Sequence, residues 1–316
     1  MGYNIIIAGA GQLGSRYLQG LAGYPEPLNI YIIDVNQSSL DRARSRWLEV
    51  AGNDLHSLHF SKDFGSAPAK TNLAIISTSA DVRESVVSSL IKNSAVDNWL
   101  LEKVLAQSSE SVNKIESLIG DHSNAWVNTY FRTMEWLKDI RQRSAQGPIE
   151  MEVIGGNLGI GCNAVHFLDF AAWWNGEEIT TIDNSGLAGK WHPAKRPGFW
   201  EINGCLSVGF SGGSIARLIS NESSDPFVIK IKTEAEEWLI DWPNSVAIKN
   251  DGFRLPGKIL LQSEKTKDLV TDMLIRKQCA LPSLQASAKL HQPILNSLLD
   301  HWNKTHSESA DQVPIT

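Results

Sequence analysis

The sequence predicts an α/β protein in two parts: an N-terminal domain on a parallel sheet, then an α+β domain dominated by a large, predominantly antiparallel sheet. Three observations carry this. The 316 residues exceed one ordinary domain of ~100–200 residues. The first 130 residues alternate strand-sized apolar runs with amphipathic stretches, the pattern of strands joined by crossover helices. Beyond them, strand patterns follow one another with few helices between, as antiparallel neighbours allow. The boundaries predicted are 1–130 and 131–316, with a C-terminal helix over 283–303.

In the first domain, strands are expected at residues 4–8, 29–33, 73–77, 99–101 and 126–130, each a short apolar run, with another around 58–60. Helices are expected near 12–22, 39–50, 81–92 and 110–119. The later three begin near a Ser or Asp able to accept bonds from free N–H groups. In the second domain, 133–143 and 164–174 read as helices, and 149–157, 205–210, 215–219, 227–233 and 237–241 as strands. After the last helix comes a polar tail, 304–316, expected to be loosely held.

Composition excludes several classes. Lys and Arg number 29 against 35 Asp and Glu, a net charge of −6, and no basic block appears, so no nucleic-acid partner is expected. A hydrophobic fraction of 42% with 20% charged residues excludes a largely disordered chain. The longest apolar stretches, such as 5–8 and 30–33, fall far short of the ~20 residues that cross a bilayer, so no membrane association is expected. The N-terminus opens on a strand pattern without the features of a secretory leader, which predicts a cytoplasmic protein. Cys162, Cys205 and Cys279 are widely separated and lack CxxC or His-rich spacing. They read as buried thiols in a reducing compartment, and no metal site is expected.

The first chemical motif is Gly9-Ala-Gly11-Gln12-Leu13-Gly14, a GxGxxG between a strand and a helix. Gly9 permits a tight turn, Gly11 lets the backbone approach a pyrophosphate, and Gly14 allows the helix to pack closely on the strand. Free N–H groups at the helix start attract the anion. The second strand ends in Asp34, whose carboxylate would accept the ribose hydroxyls of an adenosine and repel a 2′-phosphate. This is the Rossmann arrangement, with NAD preferred over NADP. Arg42, Arg44 and Arg46 on the next helix leave some tolerance for a 2′-phosphate. Gln12, Leu13 and Ser77, the last at a strand end, are assigned to the cofactor with these residues.

The second motif, Glu102-Lys103-Val104, stands at the C-terminal end of a predicted central strand, the end that faces the ligand crevice in open parallel sheets. Here the sequence resembles the glucose-fructose oxidoreductase and inositol dehydrogenase family (Gfo/Idh/MocA), whose members carry Glu-Lys-Pro at this point. Val104 replaces the proline. The resemblance implies that Lys103 lies beside the nicotinamide and the substrate hydroxyl, with Glu102 in the cofactor site.

The third motif combines a glycine-rich approach, 155–161, with His166-x-x-Asp169 on a predicted helix. Residues three apart share a helical face, so the two side chains are expected to point together, with Asp169 orienting His166. The family resembled has this His-x-x-Asp, and its histidine is the usual proton-transfer group. Its carboxylate four residues earlier is replaced by Cys162, with Asn163 as the polar substitute. Residues 155–169, with Leu281-Pro-Ser-Leu, His291 and Val313-Pro-Ile-Thr, resemble a branch associated with surface-polysaccharide and nonulosonic-acid gene clusters.

Trp191-His192-Pro-Ala-Lys195-Arg196-Pro-Gly-Phe199-Trp200 mixes cations with aromatics in a proline-broken loop. It reads either as a nucleotide-sugar clamp or as a loop anchored by its tryptophans on domain one or a second subunit. Asn163, Arg132, Lys195 and Arg196 are assigned to substrate. The function expected is a cytoplasmic NAD-dependent oxidoreductase acting on a sugar or sugar nucleotide, with Lys103, His166 and Asp169 catalytic, forming a homodimer or homotetramer. Two alternatives stay open: an NAD-dependent glycosidase or lyase without net redox, and a non-catalytic dinucleotide-binding protein.

Overall fold

In the computed structural model, which describes residues 2–50, 54–120, 123–307 and 309–316, the chain forms two units. One comprises Met1–Ala106, Ser111–Asn128 and Leu260–Ala286; the other comprises Gln107–Glu110, Thr129–Ile259 and Ser287–Thr316.

The first unit alternates β1 (Tyr3–Ala8), α1 (Gln12–Leu21), β2 (Leu28–Ile33), α2 (Gln37–Glu49), β3 (Ser57–Ser61), β4 (Leu73–Ile76), α3 (Arg83–Asn93), β5 (Asn98–Leu101), α4 (Ser109–Ile119) and β6 (Asn124–Val127). The six strands form one parallel sheet in the order β3-β2-β1-β4-β5-β6. Ile5, Ile6, Ile7, Leu73, Ala74, Ile75 and Ile76 have no exposed surface, as expected when helices cover both faces of a parallel sheet. The chain order reverses beside β1, between β2 and β4. That is the topological switch point at which such sheets open a ligand crevice outside their carboxyl ends.

The second unit holds α5 (Glu135–Arg143), β7 (Glu150–Gly156), α6 (Ile160–Asn175), β8 (Ile179–Leu187), β9 (Gly204–Phe210), β10 (Ile215–Asn221), β11 (Val228–Lys232), β12 (Glu237–Asp241), β13 (Val246–Lys249) and β14 (Arg254–Pro256). Their sheet runs β8-β9-β10-β7-β11-β12-β13-β14 and is antiparallel except where β7 meets β10. Met151 and Val153 are buried while Glu152 and Ile154, which alternate with them, are half-exposed, so one face packs and the other stays accessible. The predicted fold class is therefore observed.

Several local expectations are corrected. A helix the sequence reading missed, α7 (Gln262–Thr271), returns the chain to the first unit: Leu269, Val270, Met273, Leu274 and Leu281 join its core. Edge strand β8 was also missed; its pairing with β9 is interrupted by two register shifts. The histidine helix starts at Ile160, one turn before the predicted start. The last helix, α8, runs Leu284–His306. The tail after it is not loosely held, with Glu308 outside the described residues. Val313 and Ile315 are buried, and Gln107 binds the tail through Val313 N–H to its carbonyl (3.0 Å) and its own Nε2 to the Ile315 carbonyl (2.9 Å). Among the described residues no helix is long and apolar enough to cross a membrane.

Candidate functional site

In the first unit the turn after β1 is shaped by its glycines. Gly9 has φ +92°, a conformation that favours glycine. A Cβ on Gly14 would stand 1.8 Å from the Gly9 carbonyl oxygen, so the close helix-to-strand approach requires glycine there. A Cβ on Gly11 would meet nothing within 4 Å. Its backbone faces open space at the head of α1, and no side chain caps that helix start. The first-turn N–H groups of a helix have no partner within it. This open cradle at a helix N-terminus fits the phosphates of a dinucleotide.

Asp34 closes the arrangement. Its Oδ2 accepts the Ala10 N–H at 2.7 Å and its Oδ1 the Asn36 N–H at 2.8 Å, fixing the carboxylate beside the glycine turn. Each oxygen keeps a lone pair for a ribose hydroxyl. Ser77 donates to the Gly9 carbonyl at 2.7 Å and thereby braces the turn. Of the three helix arginines, Arg46 is tied to Gln12 (Nη1 to carbonyl 2.7 Å, Nη2 to Oε1 2.5 Å), and Arg44 lies over the Phe60 ring at 4.4 Å. Leu13 is half-buried.

Lys103 follows β5, and its peptide bond to Val104 is cis. The preceding Glu102 is buried: its Oε1 accepts from the Tyr17 hydroxyl and from Asn128 Nδ2 (2.7 Å), which also donates to Gln262 at 3.0 Å. Burial, then the negative charge of Glu102, push the Tyr17 hydroxyl well above its ordinary range. Lys265 on α7 feels the same carboxylate, yet burial dominates and lowers its ammonium from 10.5 to about 8. Tyr17, Asn128, Gln262 and Lys265 carry no sequence signal that joins them to Glu102, because three separate segments bring them there.

The Lys265 shift makes stability depend on pH. Between pH 8 and 10.5 the unfolded chain holds a proton on this lysine that the folded chain has released, so stability rises with pH across that window. Below it both states are charged and the folded state bears the full cost of burial. Relative to the wild type, Lys265→Met should lose this rise. Thermal melts of both proteins at pH 7 and pH 10 test it; identical pH profiles would refute the assignment.

In the second unit a cavity of about 290 Å³ is lined by His166, Asn163, Asn157, Tyr130, Phe131, Phe167, Ser224, Asp225 and Phe227, among others. The His166 ring meets Tyr130 edge-on at 4.7 Å and Phe131 at 5.9 Å, and burial pushes the Tyr130 hydroxyl up to about 12. Gly159, with φ +70°, starts α6, and Asn163 Nδ2 donates to the Leu158 carbonyl at 2.8 Å. Glu201 accepts the N–H groups of Gly161 (2.8 Å) and Cys162 (3.2 Å). A carboxylate from a distant segment thus reaches the backbone of Cys162.

Asp169 does not make the bonds expected of a partner to His166. Its oxygens accept from Arg132 Nη2 (2.6 Å) and Nε (3.0 Å) and from Thr129 Oγ1 (2.7 Å) in a buried, two-pronged pair. Burial raises the Asp169 carboxyl, opposed by the Arg132 charge. Arg132, assigned to substrate, instead holds Asp169 and joins the segment after β6 to α6. The tryptophan loop is corrected too: Trp191 packs on Trp302 (5.1 Å) and donates to His301 (3.2 Å), while Trp200 packs on Trp302 (5.8 Å). The loop is anchored on α8 within its own unit, leaving Lys195 and Arg196 exposed. The three cysteines form no disulfide, and no cluster of potential metal ligands occurs among the described residues.

Comparison with known proteins agrees with this architecture. The family model described as the TrkA-N domain matches residues 5–121. No match to a curated protein sequence is found. Among solved structures, UDP-N-acetylglucosamine 3-dehydrogenase from Acidithiobacillus ferrooxidans superposes with TM-score 0.72 at 13% identity, over 94% of this chain and 97% of that one. Scyllo-inositol dehydrogenase from Lactobacillus casei, solved with NAD(H) and scyllo-inositol, gives 0.68 at 14% identity, over 96% and 98%. Myo-inositol 2-dehydrogenase from Lactobacillus plantarum gives 0.67 at 13%, over 93% and 95%. All three neighbours are dehydrogenases by name, and the chain shares their fold along nearly its whole length.

Proposed function

We propose that the protein is an NAD-dependent oxidoreductase that moves a hydride between the nicotinamide and a carbinol or carbonyl carbon of a sugar or sugar nucleotide. The observation that carries this reading is the open glycine cradle closed by Asp34 in the same unit that presents Lys103 at a strand end. The structural neighbours support it: two are named for inositol and one for a nucleotide sugar, and the Lactobacillus casei enzyme was solved with NAD(H).

When bound, the nicotinamide takes or returns the hydride. In the oxidation direction the substrate carbon loses hydride and its hydroxyl loses a proton, leaving a carbonyl. His166 accepts that proton, and the Lys103 ammonium stabilises the negative charge developing on the oxygen. The Arg132–Asp169 pair fixes the segment carrying Tyr130 and Phe131 against the histidine helix. The aromatic walls of the cavity suit the apolar face of a sugar ring, and Asn163 and Asn157 suit its hydroxyls. Lys195 and Arg196, exposed on their loop, are assigned to charged groups of a larger substrate such as a diphosphate.

Incubation with excess NAD and a panel of sugars, inositols and nucleotide sugars tests the reading. Stoichiometric NADH supports it; product without net NADH indicates a glycosidase or lyase, and binding without turnover a non-catalytic protein. Asp34→Ala should weaken NAD binding and narrow the preference over NADP, read by tryptophan fluorescence. Tighter binding of NADPH than NADH by the unmodified protein would overturn the ribose assignment.

We also infer a homodimer or homotetramer in the cytoplasm. On the accessible sheet face, Ile154, Ile219 and Val228 adjoin a row in which Arg217 and Lys230 flank Glu152, a mixture of signs complementary to a second copy of itself. Light scattering should return a multiple of 34.8 kDa, and a monomer at micromolar concentration would contradict it.

A further inference from the structure

Arg83, the first residue of α3, is 1% exposed and has no part in the chemistry above. Its guanidinium donates to three main-chain carbonyls: that of Thr78 in the loop after β4, and those of Val104 and Leu105 (3.0 Å) in the loop after β5. The planar five-donor fork lets one side chain join both loops at the carboxyl end of the sheet.

Along residues 101–106 every side chain is buried except that of Lys103, which is half-exposed. On its N-terminal side the chain is fixed through Glu102, held by Tyr17 and Asn128. On its C-terminal side it is fixed through the carbonyls that Arg83 binds. The direction in which Lys103 leaves the sheet therefore depends on a clamp at each neighbour, and Arg83 supplies the second.

We propose that Arg83 is a positioning residue for Lys103, holding the loop after β5 so that the lysine ammonium is fixed in place; this rests on the role given to Lys103 above. A lysine at 83 would keep the charge, but its three N–H donors radiate from one nitrogen on a flexible stem and cannot reproduce the two-nitrogen fork that spans three carbonyls.

Arg83→Lys and Arg83→Gln test this, using whichever keeps the wild-type near-ultraviolet spectrum, together with Arg83→Ala for rescue. The first readout needs no turnover: trace acetylation of Lys103 by acetic anhydride, followed by mass spectrometry, with exposed Lys70 as the internal reference. The reactivity of Lys103 should change severalfold relative to Lys70. The second is kinetic: kcat should fall about 10–10²-fold, as displacement of a catalytic group does, with KM for NAD unchanged. Guanidinium in solution should restore part of kcat to Arg83→Ala and none to Lys103→Ala. Unaltered Lys103 reactivity in a folded variant would overturn the proposal, as would a fall in kcat matched by KM for NAD without rescue. A wild-type protein that turns over no sugar would instead overturn the oxidoreductase reading, while the acetylation arm still decides whether Arg83 holds Lys103.

Discussion

Replacing His166 by Ala or Gln is expected to lower the rate of hydride transfer by about 10²–10⁴-fold and to leave NAD affinity nearly unchanged. Groups that move a proton in the transition state contribute rate of that order and little to dinucleotide binding. Lys103→Ala should behave alike, and the double variant should lose less than the product of the two single losses, as two groups serving one transition state do. His166→Gln is the cleaner variant. The ring is packed on Tyr130 and Phe131, and alanine would leave a gap where glutamine keeps most of the volume. Single-turnover rates and melting temperatures on the same preparations decide the matter: full activity in folded His166→Gln would remove this residue from the mechanism.

The glycine turn offers a second large effect, because two of its glycines are required for opposite reasons. Gly11 faces open space with φ −62°, so Gly11→Val meets no protein atom at its Cβ and puts its bulk where the pyrophosphate would approach. The melting temperature should hold while NAD affinity falls about tenfold or more, a loss of at least ~1.4 kcal/mol. Gly14→Ala does the reverse. Its methyl would lie 1.8 Å from the Gly9 carbonyl oxygen, and the backbone must move, destabilising the unit by roughly 1–3 kcal/mol as overpacking does. Calorimetric titration with NAD and thermal melts of both variants separate the effects. A Gly11→Val protein that binds NAD normally would show that the dinucleotide does not cross this turn.

Sequence alone determined whatever depends on neighbours along the chain. Strand, glycine turn, helix and acid all lie within residues 3–34, so the spacing of apolar runs and glycines was enough to find β1, α1, β2 and Asp34. The motif Glu102-Lys103 was legible because the apolar run Trp99–Leu101 of β5 ends just before it, and the resemblance supplied the role expected of the lysine. The antiparallel character of the second sheet was legible from strands following strands. Helix α7 was not, since Gln262–Thr271 is mostly polar and its buried side includes Lys265 and Thr266, leaving no apolar period to read. The partners of charged groups were decided only by tertiary structure. The His-x-x-Asp spacing placed Asp169 near His166 on one helix, but a buried carboxylate binds whichever cation the fold delivers, and Arg132 arrives from a different segment. The same holds for Tyr17, Asn128 and Lys265 around Glu102, for Glu201 at the start of α6, and for Arg83 on the carbonyls after Lys103. Periodicity reports which face of an element is apolar. It carries no information on which polar groups, tens to hundreds of residues apart, must satisfy one another once that face is buried.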